Sequence, residues 1–197
     1  MNKNKNYLII IILIFSIPFL TAYFILQSGI NENLGTSNYG KIISPPINTN
    51  NFKIIGSSKS TEIKTLDKKW TILYFNNDLS CNSICKEDIY LLKQIHTALG
   101  KDIHRVQRSY ITDNTKSSNN WFNTMHFLLE NYPDLIRLEA NIDQETNFIL
   151  KLKEFTNTRK IFLVDPLGNV ILMWPSQFNG KQLLKDLKKL LKHSRIG

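Results

Sequence analysis

From Tyr7 to Leu26 the chain reads YLIIIILIFSIPFLTAYFIL, and no charged residue falls between Lys5 and Glu32. Nothing else restricts the chain as much, because 20 residues is the length a helix needs to cross about 30 Å of hydrocarbon. Ser16, Pro18 and Thr21 are the only interruptions. A cleaved signal peptide has an apolar core of about 7–15 residues followed by small residues at the cleavage site. Here Ile25-Leu26-Gln27-Ser28-Gly29 offers no A-x-A pattern. We therefore expect an uncleaved transmembrane anchor over 7–26, preceded by a short N-terminus over 1–6. Lys3 and Lys5 lie in that N-terminus, and positive flanks stay cytoplasmic. The remainder of the chain is then expected outside, in a single-pass arrangement.

Beyond the anchor, the chain's 197 residues leave room for one compact domain. The formal charge of +9 raises the question of nucleic acid. The basic residues are scattered as Lys among Asn and Ile, no nucleic-acid-reading motif occurs, and a chain held on a membrane is poorly placed to meet nucleic acid. No nucleic-acid partner is expected, and an anionic lipid surface is the better counterpart. Residues 27–51 are rich in Asn, Gly, Ser and Pro with no sustained period. They read as a flexible linker whose r.m.s. reach is about 25 Å.

Residues 52–197 carry alternating strand and helix patterns. Lys69–Phe75 (KWTILYF) is a β-rich apolar run, and after Asn76-Asn77-Asp78 the apolar positions Ile84, Leu91, Leu92, Ile95 and Leu99 recur at helical spacing until Gly100. Ile103–Ile111 alternates like a strand, and Asn120–Tyr132 reads as a helix ending at Pro133. A short strand over Leu135–Leu138 and a helix over Glu145–Phe155 follow. Lys160–Val164 and Val170–Trp174 are strands joined by the turn Asp165-Pro166-Leu167-Gly168-Asn169, which predicts a hairpin. The last helix spans Lys181–His193, with one leucine face and one lysine face. The predicted fold is α/β: a thioredoxin-like mixed sheet flanked by helices, preceded by one N-terminal transmembrane helix.

Cys81 and Cys85 are the only cysteines, and both fall between the first strong strand and its helix. Residues four apart share one face of a helical turn, close enough for a disulfide or for joint binding of a soft metal, and a helix N-terminus favours thiolate over thiol. A purely structural disulfide is the alternative, natural in an oxidising compartment. So small a ring constrains little of the unfolded chain, however.

The run Trp70–Phe75, the pair Cys81-Asn-Ser-Ile-Cys85 opening a helix, and Ile161-Phe-Leu-Val-Asp165-Pro166-Leu-Gly168 before a strand and a C-terminal helix together resemble the Sco/SenC group. That group consists of membrane-anchored thioredoxin-fold proteins that help load copper into cytochrome c oxidase. Leu99-Gly-Lys101, Arg105-Val-Gln-Arg108 and the ending Leu190–Gly197 are similar to small thioredoxin-like membrane proteins found with bacterial oxidase assembly genes. The resemblance implies an accessory protein rather than a turnover enzyme, in the inner membrane with its C-terminal domain periplasmic. It implies a cytochrome c oxidase subunit or other assembly factors as partners, with Cys81 and Cys85 as both reactive thiols and metal ligands.

The departures from the pattern are specific. The histidine that completes the group's Cys2His copper site falls at Asn157, and the prolines that follow each cysteine are replaced by Asn82 and Lys86. Two thiolates still hold Cu(I), whereas Cu(II) needs nitrogen or oxygen donors, so Cu(I) is the expected cargo. Of the four histidines, His96, His104, His126 and His193, none has ligand spacing to the cysteines. His126 is the one whose helix the sequence leaves unplaced. The rival chemistry is thiol-disulfide exchange, with Cys81 attacking and Cys85 resolving. Dedicated oxidoreductases of this fold carry C-x2-C and a cis-proline, and Glu154–Arg159 contains no proline. A non-catalytic scaffold is the third possibility.

Overall fold

The computed structural model describes residues 3–27, 37–49, 54–56, 68–78, 80–112, 119–140, 142–156 and 159–196. They divide into two units, Met1–Ser37 and Asn38–Gly197. The first contains α1 (Lys3–Gln27), within which Lys5–Ile25 is long and apolar enough to cross a membrane. Its apolar residues are distributed around the whole helix, as in a membrane span rather than in the striped helix of a soluble domain. Pro18 lies inside it, and the Thr21 hydroxyl donates to the Pro18 carbonyl at 2.9 Å.

The second unit is a seven-stranded sheet in the order β1-β7-β6-β3-β4-β5-β2. In chain order its elements are β1 (Lys41–Asn48), β2 (Ile54–Gly56), β3 (Trp70–Asn76), α2 (Ser83–Thr97), a 3-10 helix (Gly100–Arg105), β4 (Val106–Thr112), α3 (Asn119–Asn131), β5 (Ile136–Ala140), α4 (Ile142–Phe155), β6 (Lys160–Val164), β7 (Asn169–Pro175) and α5 (Gly180–His193). Strands β3, β4 and β5 run parallel, and β6 and β7 add an antiparallel hairpin beside β3. This is the mixed sheet expected from the alternating patterns.

Strand β3 is central and buried at every position, which is why its sequence reads as a continuous apolar run rather than an alternation. Its pleat feeds two cores. Trp70, Ile72 and Tyr74 pack with Cys85, Ile89 and Leu92 of α2, Leu128 of α3, and Leu183, Leu187 and Leu191 of α5. Leu73 and Phe75 pack on the opposite face with Phe148, Ile149 and Leu152 of α4. The C-terminal end of β3 thus enters the cysteine loop from a position fixed on both faces.

Two expectations require correction. Residues 41–48, assigned to the flexible linker, form β1 and pair antiparallel with β7. The prolines Pro45 and Pro46 disguise this strand. They fall between the paired stretches Lys41–Ile42 and Ile47–Asn48, where the register shifts; an edge bulge is where a strand tolerates residues without an amide donor. The sheet unit therefore begins before Phe52. Ile103–Arg105, assigned to a strand, instead belong to the 3-10 helix, and β4 starts at Val106. Gly100, with φ +59°, turns the chain out of α2 into that helix, and Ile103 remains exposed.

Candidate functional site

β3 ends at Asn76, and the chain crosses the top of the sheet before α2 begins at Ser83. Asn82 caps α2: its Oδ1 accepts the Cys85 amide at 3.1 Å. That capping turn brings Cys81 over the first turn of the helix. The two cysteines are joined as a disulfide with a Cα separation of 5.1 Å, inside the usual range. Cys81 keeps 7% exposure and Cys85 none, so any approach to the pair is from the Cys81 side. The Cys81 amide donates to Thr124 Oγ1 on α3 at 3.1 Å, which ties the loop to a second helix.

A polar layer lies beneath the disulfide. The Asn76 amide nitrogen donates to the Tyr110 hydroxyl at 2.9 Å, and Tyr110 stacks on Tyr74 with ring centroids 5.9 Å apart. The Tyr74 hydroxyl donates to Asp88 Oδ2 at 3.1 Å. Asp88 lies one helical turn after Cys85 and also accepts from the Ser176 hydroxyl at 2.6 Å and the Gln177 amide at 3.1 Å. Burial pushes Tyr110 up to about 12, against the lowering effect of its Asn76 bond. Burial, reinforced by the Asp88 carboxylate, raises Tyr74 far above its ordinary value. Both hydroxyls therefore remain protonated at neutral pH, Tyr74 donating to Asp88 and Tyr110 accepting from Asn76.

Arg159 closes the site from the start of β6. Its guanidinium donates to Asn82 Oδ1 at 2.6 Å and pairs with Asp78 Oδ2 at 2.8 Å. Sequence reasoning passes over it, because it lies 77 positions from Asn82 in a segment read only for the absence of proline. The antiparallel register Phe75↔Lys160 puts Arg159 next to the end of β3. Strand register is the signal that would have found it.

The histidines lie apart from the cysteines in the bonding network. His96 bonds the Val106 carbonyl at 2.8 Å, and His104 lies in the 3-10 helix. His126 is 58% exposed on α3 and stands 3.4 Å from Glu130, and His193 ends α5. Asn157, the third-ligand position, lies outside the described residues. Among the described residues no group of three or more His, Cys, Asp or Glu side chains could hold a metal ion. The Asp165 loop is the expected hairpin turn: its carboxylate accepts from the Leu167 and Asn169 amides at 2.9 and 2.8 Å.

Residues 70–194 match a family model described as "Transmembrane-like, thioredoxin-like, C-terminal domain". Among curated proteins, no sequence matches the chain. Among solved structures the fold is similar to yeast Sco1 with copper bound, at 19% identity and a TM-score of 0.58, covering 81% of this chain and 96% of that one. It is also similar to Bradyrhizobium japonicum ScoI with copper bound, at 17% identity and a TM-score of 0.52, covering 76% and 98%. A DsbF homologue from Corynebacterium diphtheriae matches at 13% identity and a TM-score of 0.53, covering 80% and 95%. At these identities the likeness is one of fold.

Proposed function

The chain belongs to the family of transmembrane-like, thioredoxin-like C-terminal domains, and from that premise we propose that it is a membrane-tethered assembly factor for cytochrome c oxidase. On this reading Cys81 and Cys85 handle Cu(I) or the thiols of a copper-site subunit, and the partner is an oxidase subunit or another assembly factor. Helix α1 holds the chain in the inner membrane, with Lys3 and Lys5 on the cytoplasmic side and the sheet domain in the periplasm.

The observation that carries the proposal is the placement of the pair: two sulfurs at one capped turn, the outer residue keeping 7% exposure and the inner one fully buried. Once reduced, such a pair presents two soft donors, which suits two-coordinate Cu(I) as cargo rather than Cu(II). The Sco proteins of the same fold are copper-bound, which supports copper as the metal. The test uses the full chain in detergent, reduced anaerobically and titrated with Cu(I) against a competing chelator, beside the Cys81→Ser/Cys85→Ser variant. One Cu(I) per chain, lost in the variant, is the expected result. Binding no tighter than the variant's would overturn copper handling.

The closed disulfide and the unequal burial of its sulfurs favour a second reading, thiol-disulfide exchange. A partner thiolate attacks Cys81 Sγ, the Cys81–Cys85 bond breaks, and Cys85 leaves as thiolate. The partner's second thiolate then displaces Cys81. The partner ends as a disulfide and this chain as a dithiol, two electrons having passed to it. The reverse sequence would reduce the disulfide of an oxidised copper site to its two thiols and leave this chain as the disulfide.

A further inference from the structure

Arg159 lies outside the cysteine motif, yet its guanidinium holds residues on both sides of Cys81: Asp78 before it and Asn82 after it. The side chain is 14% exposed, so the guanidinium is held against the loop rather than free in solvent. One oxygen, Asn82 Oδ1, receives both the guanidinium and the Cys85 amide. The bond that anchors the loop and the bond that caps α2 over Cys85 therefore share a single atom. Both contacts are made by one guanidinium nitrogen, Nη1.

We propose that Arg159 is the positioning residue of the cysteine pair. It fixes Asp78 and Asn82 to the start of β6, so that after reduction the Cys81 sulfur stays over the turn that carries Cys85. The two thiols then act as one unit, closing on each other or on one Cu(I). The inference rests on the reading that the pair cycles between disulfide and dithiol. In chemical terms Arg159 raises the effective concentration of one thiol at the other, the quantity that a linker or a scaffold controls in any intramolecular closure.

The measurement is the equilibrium of the full chain in detergent with glutathione, in which two glutathione thiols reduce the protein disulfide and leave as one glutathione disulfide. Arg159→Met keeps the stem and removes the guanidinium. It is expected to lower the equilibrium constant for disulfide closure about tenfold, the size of one lost charge-assisted hydrogen bond. Asn82→Ala added to Arg159→Met should change the constant less than Asn82→Ala does alone, because Arg159 acts through that side chain. An Arg159→Met constant within twofold of the parent, or an Asn82→Ala effect that adds in full, would overturn the proposal. If Arg159→Met does not fold, Arg159→Gln carries the test: a lowered constant supports the positioning role and an unchanged one refutes it. A parent disulfide that glutathione never reduces would overturn both this inference and the functional reading. A reducible parent whose Arg159 variants behave alike would remove the inference alone.

Discussion

Asp88 is 3% exposed and takes three donors, the Tyr74 and Ser176 hydroxyls and the Gln177 amide. Gln177 has φ +57°, a conformation that costs a non-glycine residue energy, and its bond to Asp88 is one of the interactions that hold it there. Replacing Asp88 by Ala strands the buried Tyr74 hydroxyl and removes the part-buried bonds from Ser176 and Gln177. A buried unpaired donor costs about 1–3 kcal/mol, so Asp88→Ala is expected to lower stability by about 2–3 kcal/mol, read as a fall in the urea midpoint at unchanged slope. Tyr110 makes a pH-dependent counterpart. Its folded pKa of about 12 lies above the usual 10, so its contribution is fully present below pH 10. As pH rises from 10 to 12 the unfolded chain ionises there first, and that contribution is lost. Tyr110→Phe should flatten the alkaline fall in urea stability over this window; an unchanged slope would contradict the assignment. Cys81 and Cys85 were legible because spacing within one turn is a local property. Asp88, Ser176 and Arg159 were not, because their partners are distant in sequence and only the strand register brings them together.

Elements were legible in proportion to how completely they are buried on one face. α5 shows a leucine stripe because Leu183, Leu187 and Leu191 meet the core while Lys181, Lys185 and Lys188 stay outside. β6 and β7 show themselves by the Asp165–Asn169 turn. β1 left no such trace, since Ile43 is its one fully buried apolar side chain and two prolines interrupt it. What secures β1 comes from elsewhere: the Asp186 carboxylate of α5 accepts the Tyr39 and Gly40 amides at 2.9 and 2.8 Å, and the Trp174 indole lies against Gly40. A Cβ at Gly40 would stand 2.5 Å from two ring carbons of Trp174, so one of the two must shift. Gly40→Ala is expected to cost about 1–3 kcal/mol. Asp186→Ala, which strands the buried Gly40 amide and frees the part-buried Tyr39 amide, should cost a similar amount. Hydrogen exchange gives the sharper check: both variants should lose protection first in β1 and the facing amides of β7, with β3 and β4 unchanged. Uniform loss across the sheet would mean that β1 is not the element these residues hold.

At the scale of the molecule, the boundary of the sheet unit decides which part of the chain can work apart from its helix. Composition puts that boundary near Phe52, at the end of an Asn- and Pro-rich stretch, whereas the backbone puts it at Asn38. The difference is one edge strand. A fragment of residues 38–197 keeps β1, the Asp186 bonds and the cover over Trp174. A fragment of residues 51–197 lacks them, and β7 becomes an open edge whose amides and carbonyls invite pairing with a second chain. The shorter fragment is therefore expected to melt at least about 10 °C lower and to elute as dimer or larger species at micromolar concentration, while the longer one elutes as a monomer with a single cooperative transition. Both fragments contain Cys81, Cys85 and Arg159, so Cu(I) affinity per folded molecule should be the same in the two. Equal melting temperatures would show that β1 adds nothing to the sheet unit. Copper binding confined to the longer fragment would show instead that the edge strand and the cysteine loop, with two strands between β1 and β3 in the sheet order, are energetically coupled through β7, β6 and β3.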